Sequence, residues 1–361
     1  MIPIAKPILG EEEKKAVIEV INSGIIAEGP KVKEFEEKFA EYIGVKYAVA
    51  TSSGTTALHT ALLAHEIKPN DEIITTPFTF IATVNSILYC GARPVFADIS
   101  EEDFNIDPEK IEEKVTKKTK AIIPVHLYGN PCDMDEIMKI ATDYNLKVIE
   151  DACQAHGASY KGKKVGSFGT GVFSFYPTKN MTTSEGGMIT TDNEKIAEKC
   201  KLIRSHGSAV RYHHNILGFN YRMTDIEATI GIEQLKKLNS FNKKRIENAN
   251  YLNKGLSGIK GIISPKIEKN KTHVFHQYTI RVTKDFKITR DELQKKLQEK
   301  GVGTAIYYPI PIHLQELYIK LGYKDKLPVS EKISQEVISL PIHPSVTKEN
   351  LDYIIQTFNN F

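Results

Sequence analysis

Cysteine is scarce in this chain. Cys90, Cys132, Cys153 and Cys200 are scattered through 361 residues, and no two form a C-x-x-C pair. That spacing excludes the dense disulfide framework of small secreted domains and argues against a zinc site. Buried reduced thiols are the expectation for all four. No apolar run is long enough to span a bilayer. The opening Met1-Ile2-Pro3-Ile4-Ala5-Lys6-Pro7 lacks the basic start and apolar core of a signal peptide. An excess of one charge is missing too. The formal net charge is +3, close to balance, so neither a nucleic acid nor a membrane surface is expected as a partner. Together these absences predict a cytoplasmic protein. Phosphate-loop signatures are also lacking. The run Gly166-x-x-Gly169-x-Gly171 has the wrong spacing for a dinucleotide fingerprint and precedes a strand instead of following one.

What is present is an ordinary soluble composition, 41% hydrophobic and 26% charged. The length predicts two or three domains with ample core. Helical spacing marks Glu11 to Asn22 and the stripe Val32, Phe35, Phe39 and Tyr42 behind Pro30. From Tyr47 short apolar strands alternate with helices. Strands are expected at Tyr47–Ala50, Glu72–Thr75, Pro94–Ala97, Ala121–Val125, Lys147–Ile149 and Met188–Thr191. Helices are expected at Ala57–Ala64, Phe80–Cys90, Pro108–Val115, Met134–Tyr144 and Glu194–His206. That rhythm predicts an α/β fold with a largely parallel sheet covered on both faces. His206 to Tyr221 reads as a long loop, and Thr224-x-x-Glu227 is a capping box that opens a long helix. Adjacent side chains on a strand point opposite ways, so His213-His214 is not expected to hold a metal. Beyond about Leu238 the chain turns lysine-rich and less regular, which places a boundary between units 1–238 and 239–361.

The chemistry concentrates between Glu150 and Gly187. Lys147-Val148-Ile149 runs into two carboxylates, Glu150 and Asp151, followed by Cys153-Gln154-Ala155-His156. A glycine-rich crossing leads into Val172-Phe173-Ser174-Phe175-Tyr176-Pro177-Thr178-Lys179. An acid therefore ends one apolar strand and a lysine follows another, and strand ends at the carboxyl edge of such sheets are where ligands sit. A lysine buried there loses its proton more easily and becomes a candidate nucleophile. Taken singly, Lys179 could be a solvated surface residue and Asp151 a helix N-cap. Upstream, Ser53-Gly54-Thr55-Thr56 between a strand and a helix is either an anion site or an ordinary capped start.

These residues, in order, resemble the DegT/DnrJ/EryC1/StrS family, the sugar aminotransferases of fold type I. Gly29-Pro30 with Phe35-Glu36, Ser53-Gly54-Thr55-Thr56-Ala57-Leu58, Pro77-Phe78-Thr79-Phe80 and Val125-His126-Leu127-Tyr128-Gly129 match its pattern. Gly218-Phe219-Asn220-Tyr221-Arg222 and Tyr308-Pro309 with His313 complete it, so that the resemblance covers nearly the whole chain. It implies a three-layer αβα large domain of the aspartate-aminotransferase kind, a smaller α+β C-terminal domain, and pyridoxal 5'-phosphate (PLP) as cofactor. By the same resemblance Lys179 would hold PLP covalently and shuttle a proton, Asp151 would pair with its ring nitrogen, and Gln154 would contact its phenolic oxygen. Phe80 would stack on the ring, while Gly54, Thr55 and Ser174 would hold the phosphate. Asn220 would reach that phosphate from a second subunit, which makes a homodimer with shared active sites. Tyr308 and His313 are implied in binding substrate.

The implied reaction moves nitrogen from an amino acid, typically glutamate, to a keto-sugar carried on a nucleotide. Ile2-Pro3…Lys6-Pro7…Gly10-Glu11-Glu12 and Phe175-Tyr176-Pro177-Thr178-Lys179 resemble members that aminate C4 of a 4-keto-6-deoxy sugar. Ser184 departs from the pattern, standing where many relatives carry glycine. Amination at C3, a dehydratase or aromatising activity, and a PLP-binding regulator without turnover stay open as alternatives. The dehydratases of the family carry histidine at the lysine position, and here that position is Lys179.

Overall fold

The computed structural model describes residues 1–210 and 212–361. Two helices open the chain, α1 (Glu11–Ser23) and α2 (Pro30–Ile43). Pro30 occupies the first turn of α2, where its missing N–H is harmless, and Val32, Phe35, Phe39 and Ile43 bury one face. Then comes the α/β repeat: β1 (Tyr47–Thr51), α3 (Gly54–Ala64), β2 (Glu72–Thr75), α4 (Ile81–Tyr89), β3 (Arg93–Phe96), α5 (Pro108–Glu112), β4 (Thr119–Ile123), α6 (Met134–Asp143) and β5 (Lys147–Asp151). A small hairpin, β6 (Ser159–Tyr160) and β7 (Lys163–Lys164), precedes β8 (Thr170–Ser174), β9 (Gly187–Thr191) and α7 (Glu194–Arg204).

These strands form one sheet in the order β1-β9-β8-β5-β4-β2-β3. Strands β8, β5, β4, β2 and β3 run parallel, and β9 is antiparallel to both β8 and β1. The sheet is thus largely parallel, as the alternating pattern predicts. Separate apolar clusters cover its faces. Phe35, Phe39, Phe173 and Phe175 lie in one, and Leu58, Leu62, Ile149 and Ile189 in another.

The segment read as a long loop, 206–221, contains a short antiparallel pairing of β10 (Ser208–Val210) with β11 (His213–His214). Two or three residues per strand are too few for alternation to register in the sequence. The capping box at Thr224 forms as expected, with Thr224 Oγ1 accepting from Glu227 N and Glu227 Oε2 accepting from Thr224 N. It opens α8 (Asp225–Leu256), which crosses residue 238 without a break. Ala228, Ile232 and Leu238 belong to the core against the sheet, whereas Ala249, Leu252 and Leu256 belong to a second core. The lysine-rich face of this helix is solvated surface. A division drawn at residue 238 therefore falls inside a helix shared by both cores.

The second core gathers β12 (Ile262–Ile263), β14 (Tyr278–Val282), α9 (Arg290–Glu299), β15 (Val337–Leu340) and α12 (Lys348–Asn359). Its sheet is antiparallel in the order β12-β14-β15. The chain also forms β13 (Lys271–Thr272), which joins the β6–β7 hairpin, and short helices α10 (Glu316–Lys320) and α11 (Pro328–Glu336). Ile2, from the other end of the sequence, packs into this second core.

Several histidines are folded in as neutral rings. Burial pushes His65 down to about 4, helped by the nearby charges of Lys147 and Lys199, while its Nε2 lies 2.8 Å from Thr170 Oγ1. Burial likewise pushes His156, packed between Phe173 and Phe175, down to about 3, and His273 to about 3. An unfolded histidine takes its proton near pH 6.5, so below that pH the unfolded chain binds protons that the folded chain refuses. Stability is thus complete above about pH 6.5 and is lost as pH falls toward the folded values. Urea unfolding between pH 7.5 and 5.5 is expected to show this loss, each such histidine adding up to about 1.4 kcal/mol per pH unit. His65→Gln keeps a partner for Thr170 and should flatten the slope by about one proton. A slope that is the same with and without His65 would contradict this account.

Candidate active site

Four strands deliver functional groups to the carboxyl edge of the sheet. After β1, Ser53 caps α3: its Oγ accepts from Thr56 N, and Ser53 N donates to Thr56 Oγ1. Gly54 and Thr55 are the first two residues of the helix, so their N–H groups have no carbonyl one turn back and point out at the positive end of the dipole. Ser174, the last residue of β8, stands beside this turn. A Cβ on Gly54 would lie 2.7 Å from Ser174 Cβ and 3.0 Å from Cys153 Sγ, so only glycine fits the approach.

Asp151 ends β5 and is 4% exposed. No helix begins after it, so it is not a helix cap. Its backbone is tied at both ends, Asp151 N donating to Pro124 O at 2.9 Å and His126 N donating to Asp151 O at 3.1 Å. Its carboxylate is tied as well. Oδ1 accepts from Cys153 N at 3.2 Å, and Oδ2 accepts from Thr83 Oγ1 at 2.7 Å. Gln154 follows on the same turn, where its Oε1 accepts from Tyr128 N at 2.8 Å. That bond orients its Nε2 toward Tyr308, whose hydroxyl accepts at 3.2 Å.

Lys179 lies five residues beyond β8, half-buried on the same cavity wall. It is not a solvated surface residue. Burial lowers the pKa of its ammonium, while the neighbouring Asp151 carboxylate acts the other way by charge. The loop that carries it is anchored on both sides. Asn180 Nδ2 donates to Asn242 Oδ1 and Val274 O, and Thr182 Oγ1 donates to Phe175 O. Ser184, the departure from the family pattern, has φ +79°. Glycine adopts that left-handed backbone freely, and serine pays of order 1 kcal/mol for it.

The glycine-rich crossing has a structural use. Buried Glu150 accepts from the N–H groups of Gly166, Phe168 and Gly169 at 2.8, 2.8 and 2.9 Å. His126 Nε2 is 3.2 Å from its Oε2, and His126 Nδ1 accepts from Cys132 N, so the imidazole donates to the carboxylate. The loop wraps a carboxylate, and a Cβ on Gly169 would lie 2.3 Å from Val148 O.

Together these groups line a cavity of about 820 Å³. Gly54, Thr55, Phe80, Asp151, Gln154, Ser174, Lys179 and Tyr308 all reach it. Phe80 is 55% exposed, presenting its ring at the mouth 6.4 Å from that of Tyr308. Two expected residues do not line it. His313 is buried against Phe96 with its Nε2 3.1 Å from Glu331 Oε1, because the chain turns inward after Pro311. It is therefore set apart from the cavity that was expected to use it. Asn220 is exposed on the 206–222 segment, its backbone bridged to Ser205. Thr83, Tyr307 and Gln277 also line the cavity, and the sequence offered no pattern that singled them out. A groove of about 810 Å³ at the opposite edge of the sheet, bordered by Lys68, Lys117 and Lys120, has no such convergence.

The donor set fits a phosphorylated pyridine. Helix-end N–H groups and a hydroxyl suit a phosphate, an outward carboxylate suits a protonated ring nitrogen, and a desolvated amine suits a carbonyl. Among the described residues no cluster of His, Cys, Asp and Glu could hold a metal ion. No described helix is long and apolar enough to cross a membrane.

Comparison with known proteins agrees with this fit. The model of the DegT/DnrJ/EryC1/StrS aminotransferase family matches residues 7–359. A pleiotropic regulatory protein of Geobacillus stearothermophilus is 44% identical, over 98% of this chain and 95% of its own. GDP-perosamine synthase of Caulobacter vibrioides is 41% identical, over 98% of this chain and 96% of its own. The crystal structure of NtdA from Bacillus subtilis with bound cofactor PMP, the amine form of PLP, superimposes with a TM-score of 0.90 at 37% identity, covering 98% of this chain and 82% of that one. This chain accordingly belongs to the DegT/DnrJ/EryC1/StrS aminotransferase family, as a PLP-dependent sugar aminotransferase of fold type I.

Proposed function

We propose that this enzyme takes the amino group of glutamate and delivers it to C4 of a nucleotide-linked 4-keto-6-deoxy sugar. The single observation that carries the chemistry is the convergence of Lys179, Asp151 and the N-terminus of α3 on one cavity. When bound, PLP supplies an electron sink for charge that develops on the carbon bearing nitrogen. Lys179 holds the cofactor through its amine and then moves the proton at the substrate carbon. Burial suits it to that work, because a lowered pKa leaves more free amine near neutral pH. Asp151 holds the proton on the ring nitrogen. Gln154 Nε2 would donate to the ring's phenolic oxygen, and Phe80 would cover one ring face. The N–H groups of Gly54 and Thr55, with the Ser174 hydroxyl, grip the phosphate.

Aromatic side chains at the mouth, Phe80, Tyr176, Tyr307 and Tyr308, offer flat apolar surface to a sugar ring. Preference for C4 rests on the likeness of the opening segment and of Phe175–Lys179 to C4-aminating members. The name of the regulatory relative points to the other reading, binding without turnover. The presence of lysine, acid and amide together in one cavity favours turnover. Free cysteines and the absence of a described membrane-crossing helix support a cytoplasmic setting.

A homodimer with shared sites is part of the same proposal. Val210, Ile216 and Leu217 are all exposed on the segment that carries Asn220, with Leu217 84% exposed. So much apolar surface on one loop calls for a partner, and a second copy would bring Asn220 to the neighbouring phosphate.

Lys179→Ala should abolish conversion of the cofactor's absorbance band on adding glutamate, with the fold unchanged by circular dichroism. Appreciable turnover at saturating donor would remove the lysine from its role. Asp151→Asn should keep the cofactor yet lower turnover by roughly 100-fold or more, because an amide cannot hold the ring proton. Wild-type rates would make Asp151 purely structural. Mixing Lys179→Ala with Asn220→Ala chains, each inactive alone, should restore roughly a quarter of wild-type turnover, since half the dimers are hybrid and each has one intact site. No restoration would confine each site to one chain. NMR of the aminated product decides C4 against C3.

A further inference from the structure

Asp151 is the acid on which the proposed chemistry turns, yet its direction is set by residues that touch it from α4. Thr83, in the first turn of that helix and 1% exposed, donates through Oγ1 to Asp151 Oδ2 at 2.7 Å. Thr79, 3% exposed, lies with its Oγ1 3.1 Å from Thr83 Oγ1. A hydroxyl has one proton. Thr83 gives its proton to the carboxylate, so the proton between the two threonines must come from Thr79. The chain thus has one direction, from Thr79 to Thr83 to Asp151.

The other carboxylate oxygen is held by Cys153 N–H. With one donor on each oxygen, rotation of the carboxylate would break a hydrogen bond, and the residue so held lines the cavity. Phe80 lies between Thr79 and α4, so the same turn that presents the aromatic platform also sets the acid.

We propose that Thr83 is a positioning residue for Asp151, with Thr79 fixing the orientation of its hydroxyl. The proposal rests on the reading of Asp151 as partner of the ring nitrogen. A plainer role is available: a buried carboxylate needs donors, and Thr83 could serve only to satisfy one oxygen. The two roles differ in what they change. A donor that only satisfies burial affects stability. A donor that aims the carboxylate also affects how firmly the ring nitrogen keeps its proton, which shows in the pH dependence of the bound cofactor's spectrum.

The test compares holoenzymes of the wild type, Thr83→Val, Thr83→Ser, Thr79→Val and Asp151→Asn. Absorbance of the bound cofactor is titrated with pH, and single-turnover rates are measured at saturating glutamate. Thr83→Val should shift the spectral midpoint toward that of Asp151→Asn and slow the single turnover roughly tenfold, the usual effect of losing a hydrogen bond to a charged group. The KM for glutamate should change less than twofold. Thr83→Ser, which keeps the hydroxyl, should restore both, and Thr79→Val should fall between. If Thr83→Val loses stability but keeps the wild-type midpoint and rate while Asp151→Asn changes both, the positioning role is overturned. If Thr83→Val does not fold, Thr79→Val decides: a wild-type midpoint and rate there overturns the role, and an intermediate shift upholds it. If Asp151→Asn itself matches the wild type, the failure belongs to the reading of Asp151.

Discussion

The site depends on one immobilised carboxylate. Asp151 is held through its own N–H and C=O to the neighbouring segment 124–126, and through both carboxylate oxygens to Cys153 and Thr83. A buried charge with loose partners would be costly and would wander among rotamers. Tied at four points, it becomes a fixed electrostatic feature of the sheet edge. Everything else in the cavity is arranged relative to it: the lysine loop, the capped turn before α3 and the aromatic side chain before α4.

A second buried carboxylate does the structural work beneath. Glu150 points to the other side of β5, as alternation on a strand requires, and gathers three N–H groups of the glycine-rich crossing together with His126. That network fixes where β8 starts, and β8 in turn sets where Ser174 and Lys179 emerge. Two adjacent acids thus divide the tasks: Glu150 organises the fold and Asp151 faces the cavity.

Much of this was legible in the sequence, for physical reasons. Short apolar strands alternating with helices can hardly be anything but a covered, mostly parallel sheet, and an acid or lysine just past such strands must land at the carboxyl edge. Local signals such as the capping box at Thr224 and the proline opening α2 read correctly because they depend on a few adjacent residues. What could not be read depends on long-range contacts. Thr83 sits inside a helix 68 residues from Asp151, and nothing in the spacing connects them. His313 shares a motif with Tyr308, yet a turn after Pro311 sends it into the core beside Glu331. The lysine-rich surface of α8 imitated a domain boundary, although the apolar side of that helix runs through both cores.

The central claim is that Lys179 carries the cofactor. Borohydride reduction of the holoenzyme, followed by peptide mass spectrometry, tests it most directly. The account predicts a stable cofactor mass on the peptide that contains Lys179 and on no other lysine. A label on a different lysine, or none on an enzyme that visibly holds cofactor, would contradict it.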